Sequence, residues 1–417
     1  MRLLCLGVGL LLMTGCDRPK PMPDEQNAVT AFALQRFVDA DEITGAVTAV
    51  VGPDGLIAVE AFGLADVGGQ RPMRKDSLFW IGGMTRTMTA VGVMMLVEEG
   101  KVSLEDPLGK YVPAFRDVRL KTPQGIVAPR RPITLKDLLT HTSGIDPTPA
   151  TALGKPVDTL SLAAMAEAYA RRPLTDEPGA KWADNDNDIN LLGRVIEVAS
   201  GQAYADFMQQ RLFEPLGMEN TTFWPDPDQL DQLAKPYAKD RANGGLIEAK
   251  NPWFSLPLHD DRRTPFPAGG LYSCVRDLGR FQQMLLGRGQ LDGRRYLKAA
   301  TLKQMTTAQT GEAFAANLPK GRRVGLGLNL VGEPTDDTEG LSHGAFGQAG
   351  FFGPQAWADP AKQRAYMLLI QRTDLTPTER NDISGRAAEP RAEHACGART
   401  LEARRLRGSV EQRGVQS

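Results

Sequence analysis

Phe79-Trp-Ile-Gly-Gly-Met-Thr-Arg-Thr-Met-Thr-Ala-Val-Gly-Val-Met-Met-Leu-Val-Glu-Glu-Gly100 is the stretch on which the reading of this chain turns. An apolar lead-in and two glycines give way to a run with helical apolar spacing at Met84, Met88, Val91, Met95 and Val97. Glu98 and Glu99 restore polarity, and Gly100 is placed to cap the end. A helix apolar on most sides belongs in a protein core. Its first turn carries backbone N–H groups without internal partners and faces whatever pocket the fold makes.

Working outward, three further stretches carry information. Ile133-Thr-Leu-Lys-Asp-Leu-Leu-Thr-His-Thr-Ser-Gly144 and Phe213-Glu-Pro-Leu-Gly-Met-Glu-Asn-Thr-Thr222 flank Gly179-Ala-Lys-Trp-Ala-Asp-Asn-Asp-Asn-Asp-Ile-Asn-Leu-Leu-Gly193. Near the end of the apolar part lies Gly344-Ala-Phe-Gly-Gln-Ala-Gly-Phe-Phe-Gly353. With the helix at 79–100, these segments resemble the serine β-lactamase-like hydrolases, the group of class C β-lactamases, penicillin-binding DD-peptidases and related esterases. The resemblance covers roughly Ala28 to Arg372. It implies an α+β fold of the serine β-lactamase/transpeptidase type, an antiparallel sheet flanked by helices with an inserted, mostly helical region. The sheet region is expected at 28–82 plus about 260–372 and the helical region at about 83–259.

The family reads Ser-x-x-Lys at the start of its nucleophile helix, the Ser being acylated and the Lys assisting. The matching positions here are Gly83 and Arg86. Gly83 has nothing to acylate, and an Arg stays protonated. A second family motif resembles Gly-x-x-Trp-x-Tyr-Ser-Asn followed by a helix near Asn-Leu-Leu-Gly. Trp182 and Asn190 to Gly193 fix the register, which puts Asp184 at the Tyr, Asn185 at the Ser and Asp186 at the Asn. A third, Lys-Thr-Gly or His-x-Gly on a strand lining the site, becomes Gln348-Ala349-Gly350, with His343 in the preceding turn. Five positions therefore depart together, and no residue in the family's catalytic places is expected to be active. The Lys, Tyr and Asn side chains converge in the family, so Arg86 is expected to face Asp184 and Asp186 as an ion-pair cluster.

The resemblance thus implies a member that has lost acyl transfer and that holds a peptidoglycan-like or acyl ligand, or a protein partner, in the old cleft. The alternative is an active esterase, β-lactamase or peptidase using a substitute nucleophile, with Thr85 and Thr87 nearby, or water activated by Asp184 or Asp186. His141 and Ser143 invite a hydrolase reading of their own, but a buried, hydrogen-bonded His141 is the better expectation. Asp184, Asp186 and Asp188 alternate as in a calcium loop, yet Ile189 and Val195 stand where an EF-hand needs Gly and Glu. An Arg-paired or solvated acidic turn fits better, and neither metal nor cofactor is expected.

Arg2 followed by an apolar run from Leu3 to Met13, too short to span a bilayer permanently, reads as a signal segment. Met13-Thr14-Gly15-Cys16 resembles a bacterial lipobox, which makes 1–16 a lipoprotein-type signal and Cys16 the lipidated residue, with 17–27 as a tether. The expectation is an exported protein anchored to the bacterial envelope. The 417 residues, 41% hydrophobic with a net charge of -1, supply a large core and give no reason to expect a nucleic-acid partner. Of four Cys, only Cys274 and Cys396 remain beyond the signal and the lipid site, too few for a disulfide framework.

Gly45 to Val51 and Leu56 to Phe62 flank Gly52-Pro53-Asp54-Gly55 and read as a hairpin, after a helix expected over Ala28 to Ala40. Gln355 to Ala358 and Ala365 to Ile370 read as a terminal antiparallel pair. From Thr373 to the end the chain has eight Arg, no Lys and no aromatic residue, and reads as a disordered tail.

Overall fold

Two apolar runs around Pro53-Asp54 fold back on each other as the β-prone composition dictates. Gly45–Gly52 (β1) pairs antiparallel with Gly55–Asp66 (β2), and Gly55, at φ +137°, closes the turn. The second strand runs four residues past Phe62, the end expected from the sequence. This hairpin belongs to the computed structural model of the chain, which describes residues 34–149 and 156–383 apart from 252, 312–313, 315–316, 336–337, 339, 377–378 and 380–382. Cys16 and Cys396 lie outside the described residues, as does the first part of the helix expected at 28–40, whose described part is helical over 34–39.

Arg71–Pro72 (β3) continues the edge beyond β2, and five later strands complete an eight-stranded sheet: Arg322–Val324 (β4), Asn329–Val331 (β5), Phe346–Ala349 (β6), Gln355–Asp359 (β7) and Arg364–Leu369 (β8). Their order is β4-β5-β6-β7-β8-β1-β2-β3, so β1 pairs with β8 and the two ends of the chain meet in mid-sheet, Val47 opposite Leu369. All of these pairings are antiparallel. β1 is buried along nearly its whole length because both faces of the sheet are covered, which is why its sequence is continuously apolar and not alternating.

One face carries the helix Val275–Leu286 (α3 below), where Gly279 lets the backbone approach Leu56 closely. On that side also lies the helix of the opening stretch, Thr85–Glu98 (α1), entered through a single 3-10 turn at Gly82–Met84. Every residue from Thr87 to Leu96 is buried, and Gly100 adopts φ +69° past the last turn, as a C-terminal cap requires. The buried hydroxyls of the helix are satisfied: Thr85 donates to Gly82 O at 2.7 Å, Thr87 to Gly327 O at 3.1 Å and Thr89 to Pro267 O at 2.8 Å. Asp186–Ser200 (α2) packs on α1 at Gly92, where a Cβ would already touch Met208 and Ile196. The other face of the sheet is covered by the helix at 34–39 and by chain beyond Arg372. Leu34, Ile43, Leu368, Ile370, Leu375 and Ile383 form one buried cluster there. Packing thus continues past Thr373, where the sequence suggested that a disordered tail begins. Two apolar side chains in an otherwise polar stretch are enough to seat it.

Candidate functional site

The site begins where α1 begins. Gly82, at φ +52°, and Gly83 turn the chain from the strand Phe79–Trp80 into the helix, and the end of β6 runs directly alongside. A Cβ on Gly83 would sit 2.6 Å from the carbonyl oxygen of Ala349, well inside van der Waals contact. The helix therefore presents bare backbone at its first turn, with the neighbouring strand closed down on it.

Arg86 lies one position into the next turn and reaches two carboxylates. Its Nη1 donates to Asp184 Oδ1 at 2.6 Å and its Nη2 to Asp186 Oδ1 at 2.5 Å. The guanidinium side chain is 15% exposed, while each carboxylate side chain is 57% exposed. Burial alone would lower the Arg86 pKa, but the charges of Asp186 and Asp184 outweigh it and hold the group above its ordinary value. At Asp184 burial pushes the carboxyl up, yet the Arg86 charge, with help from His141 and hydrogen bonds, leaves it below the usual value. Arg86 Nε is buried without a partner among the described residues.

The helix signals of α2 explain which carboxylates meet Arg86. Asn185 is the N-cap: its side chain accepts from Asn187 N at 3.0 Å and donates to Ile145 O at 2.9 Å. The helix thus starts at Asp186, four residues before the Asn190 expected from the sequence. Positions two apart on a helix point to opposite sides. Asp186 faces Arg86, whereas Asp188 turns inward, accepting from Ser143 Oγ at 2.5 Å with His141 Nδ1 at 3.3 Å. Asp184, Asp186 and Asp188 therefore do not converge as cation ligands. Among the described residues no group of three or more His, Cys, Asp or Glu is arranged to hold a metal. His141 is buried, as the sequence suggested, and sits at φ +55° in the position past a short helix where glycine is usual.

From the opposite wall comes Gln348 on β6. Its Oε1 accepts from Asn329 Nδ2 at 2.6 Å and Ala349 N at 3.3 Å, and because a backbone N–H can only donate, the amide orientation is fixed with Nε2 left over. Burial pushes the Tyr169 phenol up to about 12, so it stays protonated beside Asn190. His343 lies in the turn before β6 with Nδ1 on Gly332 O, away from these groups.

Gly83, Arg86, Asp184, Asp186 and Gln348, the five positions that depart from the family pattern, all line one cavity of about 840 Å³. His141 lines it too, while Thr85 and Thr87 do not; both are buried with their hydroxyls on backbone carbonyls. Neither is placed as a replacement nucleophile. Sequence reading missed the aromatic mouth. Trp80 packs on Phe352 and Trp253 with ring centroids 4.6 and 5.5 Å away, and Trp253 stands edge-to-face with Phe351 at 4.6 Å. Trp253 comes from a stretch with no periodic pattern, and only the paired aromatics Trp253-Phe254 and Phe351-Phe352 hinted at it.

A sheet built from both chain ends, a buried helix starting at the cleft and an inserted helical region define the serine β-lactamase/transpeptidase-like fold. The chain matches the family model described as Beta-lactamase over residues 33–389 and belongs to that family. It is 30% identical over 365 residues to Protein Rv1367c of Mycobacterium tuberculosis, spanning 81% of this chain and 88% of the relative. It is 28% identical over 309 residues to the D-alanyl-D-alanine-carboxypeptidase/endopeptidase AmpH of Escherichia coli, spanning 72% of each. Among solved structures, EstCE1, a hydrolase with promiscuous acyltransferase activity, superposes with a TM-score of 0.76 at 22% identity, covering 88% of this chain and 98% of that one.

Proposed function

We propose that this chain is a Beta-lactamase-family protein whose cleft binds a ligand without acyl transfer. The observation that carries the reading is Gly83: the nucleophile's place has no side chain, and the space a Cβ would need is held by the Ala349 carbonyl. Arg86, in the place of the assisting Lys, is engaged by Asp184 and Asp186 and keeps its proton, so it cannot accept one. The relatives point to the ligand class. AmpH is named for action on D-alanyl-D-alanine peptides and EstCE1 for hydrolysis and acyl transfer, which supports a peptidoglycan-like or acyl compound in the cleft.

The test is intact-mass analysis of the purified chain after exposure to a labelled penicillin and a labelled fluorophosphonate. No adduct is expected, and none from the Gly83→Ser, Arg86→Lys double variant either. A stoichiometric adduct on the unaltered protein overturns the reading and names the nucleophile.

A second reading has one observation in its favour. His141 lines the cavity with Nδ1 held by buried Asp188, the arrangement of an oriented base, and would activate water where no side-chain nucleophile exists. Turnover of an aryl ester abolished by His141→Ala, without any covalent adduct, would establish it.

The proposed location is the bacterial envelope, with lipid on Cys16. No helix among the described residues is long and apolar enough to cross a membrane. Cys16→Ser should move the protein from the membrane fraction to the soluble fraction, and an unchanged distribution rejects the anchor.

A further inference from the structure

The charges around the cleft are set for a particular kind of ligand. Arg86 carries one positive charge against the two negative charges of Asp184 and Asp186, leaving the cluster with a formal charge of -1. Arg86 uses only Oδ1 of each carboxylate, leaving both Oδ2 atoms outside the ion pair, and both side chains line the cavity and are more than half exposed. Arg322, the other cation on the wall, lies against the Trp357 ring at 4.2 Å. In place of the family's cationic triplet residue stands Gln348, neutral and 9% exposed, with its Nε2 donor uncommitted among the described residues. Trp182 lines the same cavity with its Nε1 buried and without an acceptor among the described residues. The mouth is aromatic, with Trp80, Trp253 and Phe351 in mutual contact through Trp253.

Each of these features selects. At the Asp184 and Asp186 end of the cleft the carboxylate oxygens outside the ion pair attract a cation and repel a carboxylate, while Arg322 brings the formal charge of the wall as a whole to zero. Aromatic faces favour an ammonium group and an apolar body. The uncommitted Nε2 of Gln348 on the cavity wall offers a donor to a carbonyl on the ligand. We propose that the cleft binds an ammonium-bearing ligand with an apolar body and an adjacent carbonyl. The ammonium meets Asp184 and Asp186, the carbonyl meets Gln348, and the body lies against the aromatic mouth. This rests on the reading of the cleft as a non-acylating binding site and inverts the charge preference that a cationic triplet would confer.

Two probes share a benzamide body and differ in end charge: N-(2-aminoethyl)benzamide and N-benzoylglycine. Calorimetric titration of the purified chain should show the amine binding at least about tenfold more tightly than the acid. Added salt should shrink that preference. The Asp184→Asn, Asp186→Asn double variant should lose the preference, with Asp186→Asn alone reducing it if the double variant does not fold. Gln348→Ala should weaken the amine, whose carbonyl it holds, without abolishing the preference over the acid. Equal binding of the two probes, tighter binding of the acid, binding of neither, or a preference unchanged in the Asn variants overturns the proposal. Failure of the underlying reading looks different: a covalent adduct with the labelled penicillin, detected by mass, whatever the order of the two probes.

Discussion

The Ala349 carbonyl oxygen and the Cα of Gly83 are so close that a Cβ added to the glycine would lie 2.6 Å from that oxygen. The neighbouring atom is backbone, in a strand paired at that point with β7, so it yields only if β6 shifts. Gly83→Ser should therefore destabilise the chain by about 1–3 kcal/mol, the range for overpacking, and should not by itself restore acylation. Denaturant unfolding and intact mass after penicillin treatment check both parts. A serine variant as stable as the parent would mean that the strand gives way easily.

The Arg86 cluster is asymmetric in burial, and its variants should be too. A fully buried pair broken by removing one partner loses about 3–5 kcal/mol. With Asp184 and Asp186 each 57% exposed, water reaches both carboxylates once Arg86 is gone. The expected loss falls to about 1–2 kcal/mol, between exposed and buried pairs. Removing both carboxylate charges, in Asp184→Asn with Asp186→Asn, strands a cation only 15% exposed and should destabilise more than Arg86→Ala does. Chemical denaturation of the two variants side by side settles the order.

Much of this site was legible because the framework residues around it fix its register. Trp182 and Asn190 to Gly193 located Asp184 and Asp186, and the helix from Thr85 located Arg86, so the ion-pair cluster was legible in the sequence. The hairpin at Pro53-Asp54 was likewise carried by local turn chemistry and apolar runs, whereas the pairing of an early strand with a late one followed only from the family resemblance. What stayed hidden depends on contacts between segments far apart in sequence. The crowding of Gly83 by Ala349, the hydrogen bond from the Asn329 amide to that of Gln348, and the meeting of Trp80, Trp253 and Phe351 leave no periodic trace. The inward turn of Asp188 needed the helix start at Asp186, which the N-cap Asn185 sets in the structure but the family register placed later.

That inward turn has a pH signature. Asp188 is wholly buried, and burial pushes its carboxyl above the ordinary value even though His141 and Ser143 pull the other way. With the folded value above the unfolded one, about 3.9, the stability it contributes is present at low pH and lost as pH rises through the folded value. Asp188→Asn removes this dependence while keeping an oxygen for the Ser143 hydroxyl. Relative to the parent, the variant should gain stability as pH is raised from about 4 to about 8. Asp184, held low, loses its contribution as pH falls, but it does so in both proteins and cancels in the difference. Thermal melts of the two across that range test the sign, and a flat difference would place the Asp188 carboxyl at an ordinary value.

The chain past Arg372 offers a separate check on where the folded unit ends. Ile383 is 1% exposed and Leu375 9%, both packed with Leu34, Ile43, Leu368 and Ile370 on the sheet face away from α3. The surrounding sequence is polar and Arg-rich, so neither residue stands out by pattern; they matter because the helix at 34–39 leaves an apolar patch beside β8 for them to cover. If that packing is part of the fold, Ile383→Ala should destabilise by about 2–4 kcal/mol, as for other large-to-small core changes, and the more exposed Leu375→Ala by less. Denaturation midpoints at unchanged slope would report it. Stability indifferent to both changes would return the boundary to Arg372.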